Sequence, residues 1–124
     1  MTHLILAAAG GAVGASLRYL TGIAALRLLG PNFPWGTLIV NVVGSFVMGL
    51  FIAALARMSS GGETLRVFVA TGLLGGFTTF SAFSLDVATL YERGQLAVAA
   101  GYVLASVTAS IVALFAGLWL VRAL

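Results

Sequence analysis

Long apolar runs separated by short polar punctuation dominate the chain. A bilayer's hydrocarbon core is about 30 Å thick and takes about 20 apolar residues of helix to cross. Four runs have that length: about Leu4 to Leu26, interrupted by Arg18; Trp35 to Ala56; Leu65 to about Tyr91; and about Leu96 to Val121. The punctuation is equally plain. The Leu28–Pro34 stretch supplies a Gly-Pro turn, and Arg57 with Ser59, Ser60, Gly61, Gly62 and Glu63 ends the second run. Gly94 and Gln95 make a short turn before the fourth. The pattern predicts an all-α membrane protein of four transmembrane helices, with one domain spanning residues 1–124. The first run lacks a basic leader and is too long for the apolar core of a signal peptide, so it reads as a span. Trp35, Tyr91 and Trp119 fall near run ends, where an aromatic belt is expected.

Composition agrees. The chain is 61% hydrophobic and 7% charged, whereas soluble domains carry roughly a quarter charged residues. Its mean hydropathy is +1.16. There is no cysteine and a single histidine, His3, which excludes disulfides, thiolate chemistry and a multi-histidine metal site. The six basic residues are all arginines: Arg18, Arg27, Arg57, Arg66, Arg93 and Arg122. All but Arg18 flank the spans, where they meet anionic headgroups; nothing in their spacing suggests nucleic acid. Four spans put both termini on one side, together with Arg57, Arg66 and Arg122, and leave Arg27 and Arg93 on the other. Three against two is almost no positive-inside bias. Insertion both ways up, and hence antiparallel dimers, is one consequence. The other reading is that further features fix a single orientation.

The third span is the anomaly. Its centre reads Gly75-Gly76-Phe77-Thr78-Thr79-Phe80-Ser81-Ala82-Phe83-Ser84, a run of poor helix formers. The favoured reading is a helix broken at its centre. Irregular backbone at membrane depth is tolerated where it is buried in protein or lines a cavity, and its freed carbonyls suit a cation such as Na⁺. The alternative is an intact helix whose small residues allow close packing.

No catalytic constellation is visible. The acids are Glu63, Asp86 and Glu92; two belong to loops, and Asp86 lies about two turns before the end of the third span. A carboxylate at mid-span, which a small proton-coupled exporter needs, is missing. What remains is uncharged polarity. Asn41 sits about two turns into the second span, either as an interhelical tie or as a donor of amide hydrogens. Tyr102, Ser106 and Ser110, four apart, stack their hydroxyls on one face of the fourth helix; they form a polar track or interhelical ties. Phe80 and Phe83, three apart, share a face. They are packing residues, or their electropositive ring edges line a narrow anion path. Arg18 either snorkels to an interface or draws anions into an aqueous vestibule.

The run GGFTTFSAFS, with Asn41 in NVVGS and Arg18 in GASLRY, resembles the Fluc (CrcB-like) fluoride channels of bacteria and archaea over essentially the whole chain. The resemblance implies an antiparallel homodimer with two fluoride pores and a central structural Na⁺, through which toxic cytoplasmic fluoride leaves passively across the inner membrane. It implies that Phe80 and Phe83 contact fluoride by their ring edges, that Asn41 is the pore asparagine, and that Ser110, Ser106 and Tyr102 form the hydroxyl track. It assigns the small polar motif positions to Thr79 and Ser81, the Na⁺ carbonyls to Gly75 and Thr78, and a vestibule position to Arg18. Ala82 departs from the Thr or Ser of many members, which puts only a secondary hydroxyl in doubt. Other expectations that the residues leave open are a small coupled transporter (a fluoride/proton antiporter or a cationic-drug exporter) and a non-transporting assembly factor.

Overall fold

The computed structural model covers Met1–Leu124, and every element in it is helical. Helix α1 is Thr2–Leu29, α2 is Trp35–Leu55, α3 is Gly62–Leu65, and a π-helical stretch, Arg66–Leu74, leads into the short α4, Gly75–Phe77. Helix α5 is Phe80–Glu92 and α6 is Leu96–Ala123. Together these make four stretches long and apolar enough to cross a membrane, the third being Gly62–Glu92. The protein is a multi-pass membrane protein. Helix α1 has 28 residues and at 1.5 Å per residue is about 42 Å long, enough to carry its ends into both headgroup layers. That length explains why helices outrun the apolar runs. Backbone bonding continues through interfacial residues, so α1 reaches Leu29 rather than Leu26 and the third span begins at Gly62 rather than Leu65.

Turn chemistry fixes the helix ends. After α5 the Gln95 N–H donates to the Leu90 carbonyl at 3.0 Å and the Gly94 N–H to that of Tyr91 at 3.0 Å, a Schellman closure whose left-handed position Gly94 fills at φ 78° without a Cβ penalty. His3 Nδ1 lies 4.0 Å from Glu63, and an Arg57 amine donates to the Val121 carbonyl at 2.6 Å. These contacts put both termini beside the loop that joins α2 to the third span.

Only 15 of 124 residues are buried. The exterior is studded with exposed Leu, Ile, Val and Phe, as lipid-facing surfaces are. Between helices, where lipid and protein are equally apolar, association depends on close van der Waals contact. Glycine supplies it. Gly10 and Gly14 of α1 press on the backbone of Phe68, Leu73 and Phe77, and Gly72 and Gly76 press back on Ala7 and Gly11. Both pairs are small-xxx-small, so the motif occurs on each side of one seam. Gly49 of α2 and Gly117 of α6 do the same for the second seam, meeting the carbonyls of Leu114 and Phe46. The π-helical stretch was not foreshadowed by the sequence pattern. At its end the Gly75 N–H reaches the Ala70 carbonyl, five residues back.

A β-carbon at Gly49 would clash with main chain that cannot swing aside. Gly49→Leu should therefore destabilise the fold by about 1–3 kcal/mol or force the helices apart, read as a lower melting temperature in detergent. Gly101 has nothing within 4 Å of a built Cβ, so Gly101→Ala should melt no lower than the parent. Equal melting of Gly49→Leu and the parent would contradict this account of the seam.

Candidate functional site

Helical dihedrals end at Phe77 and resume at Phe80; Thr78 (φ −87°, ψ 159°) and Thr79 (φ −154°, ψ 125°) between them are extended. Extended residues in a helix interior leave backbone groups without their usual partners, and the neighbouring side chains answer several of these. The Asn41 amide grips Thr79 at both ends: its nitrogen donates to the Thr79 carbonyl at 2.9 Å, and its oxygen accepts the Thr79 N–H at 2.8 Å. Thr79 also caps α5, its hydroxyl accepting the Ala82 N–H at 3.1 Å and lying 3.2 Å from Ser81 Oγ. The Thr78 hydroxyl donates to the Leu74 carbonyl at 2.8 Å, and its methyl packs on Gly44. From α1, Arg18 Nε donates to the Gly76 carbonyl at 3.1 Å. The Thr78 carbonyl receives no hydrogen bond from within the chain. The Gly75 carbonyl loses its usual helical donor, because the N–H four residues on belongs to Thr79 and is held by Asn41.

Beside the extended pair lies a cavity of about 400 Å³. Asn41, Thr78, Thr79, Phe80, Phe83, Ser106 and Ser110 line it, with Met48, Val107, Ile111 and Leu114 among its apolar walls. No ionisable side chain is among the lining residues. The Phe80 and Phe83 rings lie 5.4 Å apart at 47°. Phe83 is buried, whereas Phe80 is 76% exposed on the single chain. The serines behave unusually. Ser16, Thr21 and Ser84 return their hydroxyl protons to the carbonyl four residues back, the common habit in membrane helices. Ser106 and Ser110 are buried at Oγ and make no hydrogen bond of ordinary geometry, although Ser106 lies beside the Tyr102 hydroxyl.

Other candidates lie outside this cavity. Tyr102 is fully buried and donates its proton to Asp86 Oδ2 at 2.9 Å; its ring packs on Phe83 at 5.1 Å. Arg18 lines a separate cavity of about 320 Å³ on the α1 side, which Thr79 also borders. Ser81 is exposed, and Gly75 borders neither space. Sequence reasoning missed Asp86 as the Tyr102 partner and Gly44 as the floor under Thr78. A carboxylate within a span was itself a signal, but its partner 16 residues away was not.

Asn41→Ala would strip Thr79 of both backbone partners, at about 1–3 kcal/mol for each buried group left unmet. Its melting temperature in detergent should fall clearly below the parent's. Asn41→Asp keeps the acceptor but sets an oxygen against the Thr79 carbonyl, and should fall as well. An unchanged melt for Asn41→Ala would show that the clasp is dispensable.

A profile of the family described as "CrcB-like protein, Camphor Resistance (CrcB)" matches residues 5–118. Among curated proteins, the chain is similar to the "Fluoride-specific ion channel FluC" of Mesorhizobium japonicum, with 62% identity over 124 residues, 100% of this chain and 99% of the relative. The protein of the same name from Chelativorans is 61% identical over the same shares. That of Agrobacterium fabrum is 55% identical over 98% of each chain. With a match of that length and relatives of that identity, the extended Thr78-Thr79 pair, the two phenylalanines and the asparagine clasp sit in a chain that belongs to the CrcB-like family.

Proposed function

We propose that this protein is a fluoride-selective channel that lets cytoplasmic fluoride leave the cell passively and so lowers its toxicity. The observation that carries this reading is the cavity itself: phenylalanine edges, an asparagine and two unpartnered serine hydroxyls converge on a space with no ionisable group. Fluoride is small and tightly hydrated, so a path for it must replace water with donors. The Ser106 and Ser110 hydroxyls are free to donate, and Asn41 retains a second amide hydrogen beyond the one spent on Thr79. Ring edges of Phe80 and Phe83 add weak positive potential. Several weak sites in series allow departure as well as binding. The absence of a titratable group from the cavity lining disfavours a proton-coupled exchanger.

The finer architecture belongs to the same proposal. The third helix is read as broken at Thr78-Thr79, and the working unit as an antiparallel homodimer, possible with both orientations inserted. Phe80, exposed on one chain, would be covered by the second copy. A structural Na⁺ is proposed at the centre, held by the carbonyls of Gly75 and Thr78; that of Thr78 has no internal partner, and the usual helical donor to Gly75 is held by Asn41. The donor set fits: neutral oxygens suit an alkali cation, and a carbonyl without a partner costs several kcal/mol once a second copy buries it. Such an ion, if bound there, would supply positive charge to the interior and would tie the two copies together.

Fluoride efflux from proteoliposomes, read with an ion-selective electrode, tests the function, and voltage clamp in a planar bilayer separates channel from transporter. Current driven by voltage alone is expected. Flux that requires a proton gradient would overturn the channel reading.

Phe80→Ile and Phe83→Ile keep bulk and remove the ring edge. Each should cut efflux by at least about tenfold, equivalent to about 1.4 kcal/mol, while the protein still elutes as a folded dimer. Full efflux in both variants would remove the rings from the pathway.

Removing Na⁺ should lower activity or dimer stability without changing the charge carried per fluoride. A dimer equally stable and active after exhaustive Na⁺ removal would eliminate the cation site.

A further inference from the structure

We infer that Asp86 is a positioning residue of the pathway: by accepting the proton of Tyr102, it holds the phenol as a wall beside Phe83 and keeps that proton from the anion. This rests on the pathway reading above and deepens it.

A phenol has one proton to give, and here it goes to Asp86 Oδ2 at 2.9 Å. A hydrogen bond to a carboxylate is among the stronger kinds, so the Tyr102 hydroxyl is committed. The bond also fixes where the ring lies. Tyr102 is fully buried, wedged between Phe83 at 5.1 Å and the Phe33 ring, met edge-on at 5.4 Å and 89°. These two neighbours belong to different spaces. Phe83 lines the serine-bearing cavity. Phe33 lines a third cavity, also of about 320 Å³, where the loop before α2 meets the end of the third span, and Asp86 lines it too. The carboxylate therefore stands in the outer space and, through one phenol, sets the ring that the inner space rests on. Across the outer cavity the only other ionisable lining residue is Arg93.

The hydroxyls of α6 then fall into two kinds. Ser106 and Ser110 have no partner and are donors for an anion. Tyr102, one turn earlier on the same face, contributes its ring and no proton. Helical spacing presents the three as equivalent; the bond to Asp86 divides them.

The test compares fluoride efflux from proteoliposomes bearing the parent, Asp86→Asn, Asp86→Ala, Tyr102→Phe, and the Asp86→Ala/Tyr102→Phe double variant. Asparagine keeps an acceptor oxygen, so Asp86→Asn should stay within about twofold of the parent, whereas Asp86→Ala and Tyr102→Phe should each slow efflux about fivefold. The double variant should be no slower than the slower single, because both changes break one bond. An Asn variant as slow as the Ala variant would overturn the inference, since charge rather than an acceptor would then matter. Additive losses would overturn it, as would a severe Tyr102→Phe defect beside a normal Asp86→Ala protein, which would return the phenol proton to the anion. A second readout keeps the two readings separable. The chain has three tyrosines, Tyr19, Tyr91 and Tyr102, so 3-fluorotyrosine labelling gives three assignable fluorine resonances. The Tyr102 signal should move in Asp86→Ala and return towards the parent position in Asp86→Asn. A parent without efflux fails the channel reading alone, and the resonances still decide the positioning role; a Tyr102 signal indifferent to Asp86→Ala refutes it.

Discussion

Every polar group of the backbone must find a partner inside the protein, because the bilayer interior offers no water, and the extended pair Thr78-Thr79 makes that requirement acute. The structure around it is largely a set of answers. Asn41 takes both polar groups of Thr79 with one side chain. The Thr79 hydroxyl caps the helix that restarts after it, and Arg18 crosses from α1 to meet Gly76. Asn41 of α2, Arg18 of α1 and Thr79 itself thus answer main-chain groups of Gly76, Thr79 and Ala82. The Thr78 carbonyl is left without a partner in the chain.

The same constraint accounts for the chemistry of the cavity. A charged side chain would bind a small anion tightly and hold it; neutral donors bind weakly enough to release it. On the proposed reading, the buried hydroxyls of Ser106 and Ser110, which decline the usual backbone bond, would provide such donors without introducing charge into the spans. The side chains that do carry charge at depth, Arg18 and Asp86, are both occupied by specific hydrogen bonds and border other cavities. Polarity in this protein is therefore sorted, with ionised groups at the flanks and neutral groups in the serine-lined space.

The four spans were legible because twenty apolar residues in a row have few other uses, and glycine and proline mark the ends between them. The grouping of Asn41, Phe80, Phe83, Ser106 and Ser110 was legible from helical spacing and the motif together. What spacing could not reveal was which polar groups bond to each other. Asn41 was poised between tie and donor; the structure shows it as a tie to Thr79 with one hydrogen left over. Tyr102 was placed in register with the serines, yet its proton goes to Asp86, a pairing that depends on how α5 meets α6. The glycine seams were similarly hidden, since Gly10, Gly14, Gly72 and Gly76 reveal their purpose only when α1 lies on the third span. The π-helical stretch is a main-chain bonding choice that no side-chain pattern encodes.

The glycine seams have a thermal consequence. A soluble domain's stability curves with temperature because unfolding bares apolar surface to water, which raises the heat capacity. Here helices that come apart within the bilayer exchange contact with glycine and backbone for contact with lipid tails, and little apolar surface is hydrated. The heat-capacity difference between assembled and separated helices should accordingly be small. Stability in the membrane would then vary almost linearly with temperature, without the cold-side loss familiar from water-soluble folds, and the packing of Gly49 on Leu114 would hold nearly as well in the cold as in warmth.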